Sequence, residues 1–210
     1  MVTRDRIVEA AARLLDEGGR EAVTTRAVAA AAQVQAPTIY RQFGDKDGLL
    51  DAVAEHGFAS YLAGKEVREA GKDPVEDLRA GFDLHVEFGL THPALYTLMF
   101  GDPKPSAAAA ASFAILREHV HRIAVAGRLK VPEELAAQLI HATGTGTVLA
   151  LLADPHPDLA PTAREAAIAA ITTDAPASSA AVTLKSQLAQ SEAFSDGERR
   201  LLVEWLDRLA

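Results

Sequence analysis

Apolar residues recur along this chain with the period of a helix, and nowhere with the alternation of a strand. From Thr3 to Glu17 they fall at Ile7, Ala10, Ala11, Leu14 and Leu15, one face of an amphipathic helix that Gly18 and Gly19 should end. Two short segments follow. Thr25–Ala32 has a small apolar face at Val28, Ala29 and Ala32, and Thr24 stands where it can cap the first turn. After a turn at Gln33–Gln35, a second short helix runs from Ala36 to about Gln42, with Ile39 and Phe43 four apart on its inner side. A long helix then starts near Asp45 and continues to about Glu69, with a wide stripe of Leu49, Leu50, Val53, Ala54, Gly57, Phe58, Tyr61 and Leu62.

The remainder repeats the pattern. Asp73-Pro74-Val75-Glu76 combines a cap, a proline at the first helical position and an acid in the first turn, so it opens a helix to about Leu90. A short helix is expected at Ala94–Phe100, then a loop at Asp102–Pro105 and helices at about Ser106–Gly127 and Pro132–Ala153, with Pro132 at the first helical position of the latter. The last of these is apolar on two sides: Leu135, Leu139, Ala142, Gly146 and Leu149 on one, and His141, Thr145, Val148 and Leu152 on a mildly polar other. One side should face the interior and the other a partner subunit. An Ala-rich helix at about Thr162–Thr172, a linker at Ala175–Ser179, a helix near Ala181–Gln190 and a capping box at Ser195–Glu198 opening a final helix to Leu209 complete the chain. The expected fold is all-α: an N-terminal three-helix helix-turn-helix domain over residues 1–48, and a larger C-terminal helical bundle over 49–210 that binds ligand and dimerises.

Composition narrows the function. There is no cysteine, hence no disulfide framework or thiol chemistry. No signal-peptide core opens the chain and its longest apolar run is far short of a membrane helix, so a soluble cytoplasmic protein is expected. The net charge of −8 looks wrong for a nucleic-acid binder. Its distribution answers the objection. Residues 1–48 carry seven basic and seven acidic side chains, and residues 49–210 carry 14 and 22, so the acidity lies wholly in the second part. Binding to DNA should rest on a few placed cations rather than on a basic field.

The second short helix shows Pro37, Thr38, Tyr40, Arg41 and Gln42 outward, a set that can read base edges and hold phosphates. Over residues 4–60 the chain resembles the TetR family of bacterial transcriptional regulators. Thr24, Arg26, Val28, Ala29, Ala32, Val34, Ile39, Tyr40, Phe43, Lys46 and Leu49 stand where that family's pattern places them. Gln33 and Gln35 depart from it, replacing a turn glycine and a serine cap. The resemblance implies phosphate contacts from Thr25, Arg26, Tyr40 and Lys46 and base contacts from Ala36, Pro37, Thr38, Arg41 and Gln42, with Gln35 at the mouth of the helix. It also implies a homodimer on a palindromic operator of double-stranded DNA, most often a repressor, released by a small-molecule effector.

A ligand site is expected among the helices of the second part, where Phe82, His85, Tyr96, Phe100, Phe113 and His141 combine apolar walls with a few polar handles. An ordinary helical core would use the same residues. His119 and His121, two apart on a helix, point in different directions and do not pair for a metal; no metal or other cofactor is expected. No catalytic constellation stands out, so no enzyme is expected. The alternative is an all-helical small-molecule binding protein or enzyme with a vestigial reader domain.

Overall fold

The computed structural model describes residues 3–64, 73–101, 106–173, 184, 188 and 193–209. Its helices are α1 (Thr3–Ala22), α2 (Thr25–Ala31), α3 (Ala36–Phe43), α4 (Lys46–Gly64), α5 (Pro74–Thr91), α6 (Pro93–Phe100), α7 (Ala107–Val125), α8 (Glu133–Ala153), α9 (Leu159–Ile171) and α10 (Asp196–Leu209). Among the described residues there is no strand; a single bridge pairs Leu129 with Thr172. The fold is all-α, as the periodicity requires.

Local chemistry sets most boundaries. Thr24 accepts from the Ala27 amide, Asp73 from Val75, and Ser106 from Ala109, so α2, α5 and α7 each begin at a side-chain cap. Asp45 accepts from the Gly48 amide and fixes the start of α4. At α10 the Ser195 hydroxyl donates to Glu198 at 2.7 Å, and Glu198 also accepts from the Ser195 amide, closing the expected capping box. Three expectations need correction. Gly18 and Gly19 do break α1, but the chain resumes helical geometry for a further turn to Ala22. Pro132 is the residue before α8 rather than its first, at extended angles. α9 begins at Leu159 instead of Thr162, because Pro161 falls in the first turn, where no intrahelical N–H bond is needed. The expected linker at 175–179 and the loop at 102–105 lie outside the described residues, as do the end of α4 beyond Gly64 and most of the expected helix at 181–190.

Helices α1–α3 form the small N-terminal unit, closed by Ile7, Leu15, Val28, Ile39 and Leu49. The same α4 that packs on α1 and α3 also packs on α6 and α7, so one helix belongs to both halves. In the larger half α5 lies against α7, α8 and α9. Two polar ties lock this layer. Arg128, in the α7–α8 turn, reaches Asp73 at 2.7 Å, and Arg79 and Arg164 join α5 to α9 through Glu165 and Asp83.

Helix α8 resolves its two-sided pattern. Its inward side is Ala136, Ala137, Ile140, Gly144, Thr147, Val148 and Leu151, all buried. Leu135, Leu139, Ala142, Gly146, Leu149 and Leu152 are exposed. Leu152 therefore joins the outer face, against the sequence grouping. α8 is long and apolar enough to cross a membrane, but its inner side is packed in the bundle.

Candidate nucleic-acid interface and ligand cavity

The turn before α3 is built on strain. Gln33 holds φ of 54°, alone among the described non-glycine residues in positive φ. This is the left-handed geometry that a glycine would meet without a Cβ penalty. Gln35 makes no side-chain cap bond to α3. The turn closes instead through backbone bonds, Val34 N–H to the Ala29 carbonyl and Thr38 N–H to Gln35. At the far end Gly48 approaches the Phe43 carbonyl so closely that an added Cβ would lie 2.1 Å from it. That tight approach fixes the angle between α3 and α4.

Ile39 is the buried anchor of α3. Pro37, Tyr40 and Arg41 are exposed, Tyr40 by 53 %, while Ala36, Thr38 and Gln42 are half-buried. Arg26 and Gln35 are exposed, and Thr25 and Lys46 are half-buried. All ten predicted DNA-side residues thus lie on or beside α2, α3 and the start of α4. One detail departs from expectation: the Gln42 amide oxygen is covered and has no hydrogen-bond partner. Bidentate pairing with a base edge therefore needs a new Gln42 rotamer, and no existing bond opposes that change. Arg4 stacks its guanidinium 4.9 Å from the Phe43 ring centroid, which braces α1 against α3.

The second half holds a cavity of about 120 Å³ between α4, α5, α7 and α8. Of the six residues expected to form a ligand site, Phe82, His85, Phe113 and His141 line it. Tyr96 and Phe100 do not; they stand behind the wall, with the Tyr96 ring 5.4 Å from His85 and the Phe100 ring 6.0 Å from His141. Tyr96 is fully buried and its hydroxyl lies 2.9 Å from His85 Nε2. Gly144 makes room for this arrangement, since a Cβ there would lie 3.3 Å from the His85 ring.

Among the described residues, every wall residue is uncharged or a histidine. Burial, and then the neighbouring His141, push His85 down to about 4. Burial also lowers His141, and lowers His119 with help from Arg122. The Tyr96 phenol is pushed up to about 12 by burial. At neutral pH the site is therefore aromatic, apolar and without net charge.

Sequence reasoning missed four wall residues that matter: Phe58 and Tyr61 on α4, and Ser112 and His119 on α7. The signal was present for the last two. Ser112 and His119 are seven apart, two turns along the stripe that includes Leu116. Phe58 and Tyr61 stood in the α4 stripe but could be assigned only to core. Tyr61 donates to the Leu84 carbonyl at 3.2 Å and so pins α4 to α5 at the cavity. No group of three metal-ligating side chains occurs among the described residues.

Comparison with known proteins agrees with this geometry. Residues 7–53 match the model of the bacterial regulatory proteins, tetR family. The HTH-type transcriptional regulator BetI of Burkholderia ambifaria is 36 % identical over 81 residues, which cover 38 % of this chain and 42 % of BetI, less than half of either. The solved structure of RolR in complex with resorcinol superposes with a TM-score of 0.64 at 23 % identity, over 80 % of this chain and 87 % of RolR. FadR from Bacillus subtilis, in complex with stearoyl-CoA, gives 0.61 at 18 % identity, over 80 % of this chain and 98 % of FadR. The family match lies on α1–α4, so that part of the chain is similar to the N-terminal unit of the tetR-family regulators, and the fold of the bundle is shared with RolR and FadR.

Proposed function

We propose that the protein is a homodimeric repressor that binds a palindromic operator through α3 and leaves it when a small molecule fills the bundle cavity. The observation that carries this is the double membership of α4. Lys46 opens that helix beside the reader, and Phe58, Tyr61 and Leu62 on the same helix line the cavity. Twelve residues separate Lys46 from Phe58, roughly 18 Å of rigid rod. A ligand that displaces Phe58 or Tyr61 tilts the reader, and the two α3 helices of a dimer then miss successive DNA turns. On this division residues 1–48 read DNA and residues 49–210 sense and dimerise, and the protein acts by binding, without chemistry, in the cytoplasm.

The exposed side of α8 supports a two-fold partner. Leu135, Leu139, Leu149 and Leu152 form one outward apolar strip, and α9 beside it exposes the small residues Ala166, Ala169 and Ala170. Small residues let a second copy approach closely, and an isologous seam of this kind closes after two subunits. RolR with resorcinol and FadR with stearoyl-CoA support a ligand-responsive bundle, though the two ligands differ widely in size and charge. The test is anisotropy titration of the purified protein against duplexes spanning the DNA beside its own coding region. Saturation at two chains per duplex with one duplex and weak binding to the rest supports the proposal; equal, weak binding to all of them contradicts it.

A further inference from the structure

We infer that the effector is a compact, uncharged hydroxylated aromatic molecule, a phenol in its simplest form, held between His141 of α8 and the Ser112–His119 face of α7. The inference rests on the effector-responsive function proposed above and adds the chemistry of the ligand.

Size comes first. A cavity of about 120 Å³ admits a single ring and excludes an extended acyl chain or a nucleotide; an apolar cavity of roughly 150 Å³ holds benzene. Shape follows from the walls. Phe58, Phe82, Phe88 and Phe113 line it, and an aromatic wall favours a flat aromatic partner.

Charge is decided by what is missing from the wall. Among the described residues no Asp, Glu, Lys or Arg lines the cavity. A carboxylate or ammonium would be buried without a counter-charge, since burial keeps the nearby imidazoles neutral.

The polar handles specify the hydroxyl. His141 makes no hydrogen bond among the described residues, although it is half-buried between Phe100 and Phe113 at ring distances of 6.0 and 5.3 Å. His119 has a covered Nδ1 with no partner, and its Nε2 edge faces Gly81 with van der Waals space to spare. His85 is already satisfied at Nε2 by Tyr96. A neutral imidazole offers one donor and one acceptor, and a hydroxyl carries both functions. A bare hydrocarbon would leave these nitrogens unpaired, and a group that only accepts would serve one of the two functions.

The test is calorimetric titration of the full-length protein, without DNA, using phenol, toluene, benzoate and decanoate as probes. Phenol is expected to bind about tenfold or more tighter than each of the others. His141→Phe should remove the phenol preference over toluene while leaving toluene binding intact. Should that variant fail to fold, ¹⁵N shifts of the histidine rings in the wild-type protein replace it, with His141 or His119 expected to move on phenol addition and His85 to stay. No heat with phenol at millimolar concentration, tighter binding of benzoate or decanoate, or an unchanged phenol-to-toluene ratio in His141→Phe overturns the inference. Because the titration contains no DNA, failure here is separate from failure of the regulator proposal, which the duplex titration reads.

Discussion

His85 Nε2 and Tyr96 Oη meet at 2.9 Å inside the bundle, and each allows the other to be buried. The phenol satisfies a buried imidazole, and the imidazole gives the phenol its partner. The pair joins α5 to α6 directly behind the bundle cavity, with His141 the other titratable group facing His85.

This pairing makes the protein sensitive to acid. His85 is lowered from 6.5 to about 4, so the unfolded chain takes up the proton first as pH falls. Stability is then full above pH 6.5 and is lost progressively toward pH 4, by up to about 3 kcal/mol for this group. The lowered His119 and His141 act in the same direction. Urea unfolding at about pH 7.5 and about pH 4.5 should show a steeper loss for the wild type than for His85→Gln. Equal losses would mean that His85 is not the group responsible.

Gly89 of α5 packs tightly against Val148 of α8. An added Cβ would lie 2.3 Å from Val148 Cγ1 and 3.0 Å from the Tyr96 ring. Gly89→Ala should cost about 1–3 kcal/mol by overpacking. Val148→Ala in the same chain should recover part of that loss, a coupling that a double-mutant cycle in urea measures. Strict additivity would show that the two helices can separate freely.

The outward leucines of α8 predict an oligomeric effect without a folding effect. Leu139→Glu and Leu149→Glu place a charge on a surface that is 39 % and 43 % exposed in the single chain. Both variants should keep the helical circular dichroism of the parent and sediment as monomers. A wild type that already sediments as a monomer would contradict the dimer, and a variant that stays dimeric would move the seam elsewhere.

The proposed DNA contacts divide by role. Tyr40→Phe and Lys46→Ala should weaken binding to every duplex and, for Lys46, reduce the salt slope by about one. Arg41→Ala should instead relax preference at particular base pairs, costing about 1–3 kcal/mol there. Gln42→Ala should do the same, although Gln42 must first turn its covered amide outward. Competition titrations with single-base operator variants separate the two patterns; a uniform loss from all four changes would contradict the division.

The helices themselves were legible because their caps are local. Thr24, Asp73, Ser106 and Ser195 each meet a backbone or side-chain partner within three residues, and that pairing is written in the spacing. The turn at Gln33 was legible as a site of strain, since the left-handed angle it adopts is what its position in the motif demands. What the pattern could not carry was the sorting of apolar faces. Leu152 and Val148 are four apart on α8 and look equivalent, yet Val148 is buried against Gly89 and Leu152 is exposed. That choice depends on which helix lies alongside, a tertiary fact. The same limit hid Phe58 and Tyr61, whose contribution to the cavity exists only once α5 and α7 close over α4. Tyr96 illustrates the opposite case: its aromatic and polar character suggested a ligand contact, but α6 turns it toward His85, behind the wall.

Hydroxyl-radical footprinting on the DNA beside the coding region tests the whole account most directly. Two protected patches related by a two-fold axis, one or more helical turns apart, and lost together when a cavity ligand is added, are the predicted result. Absence of any protected patch at low salt, or a single patch without symmetry, would contradict it.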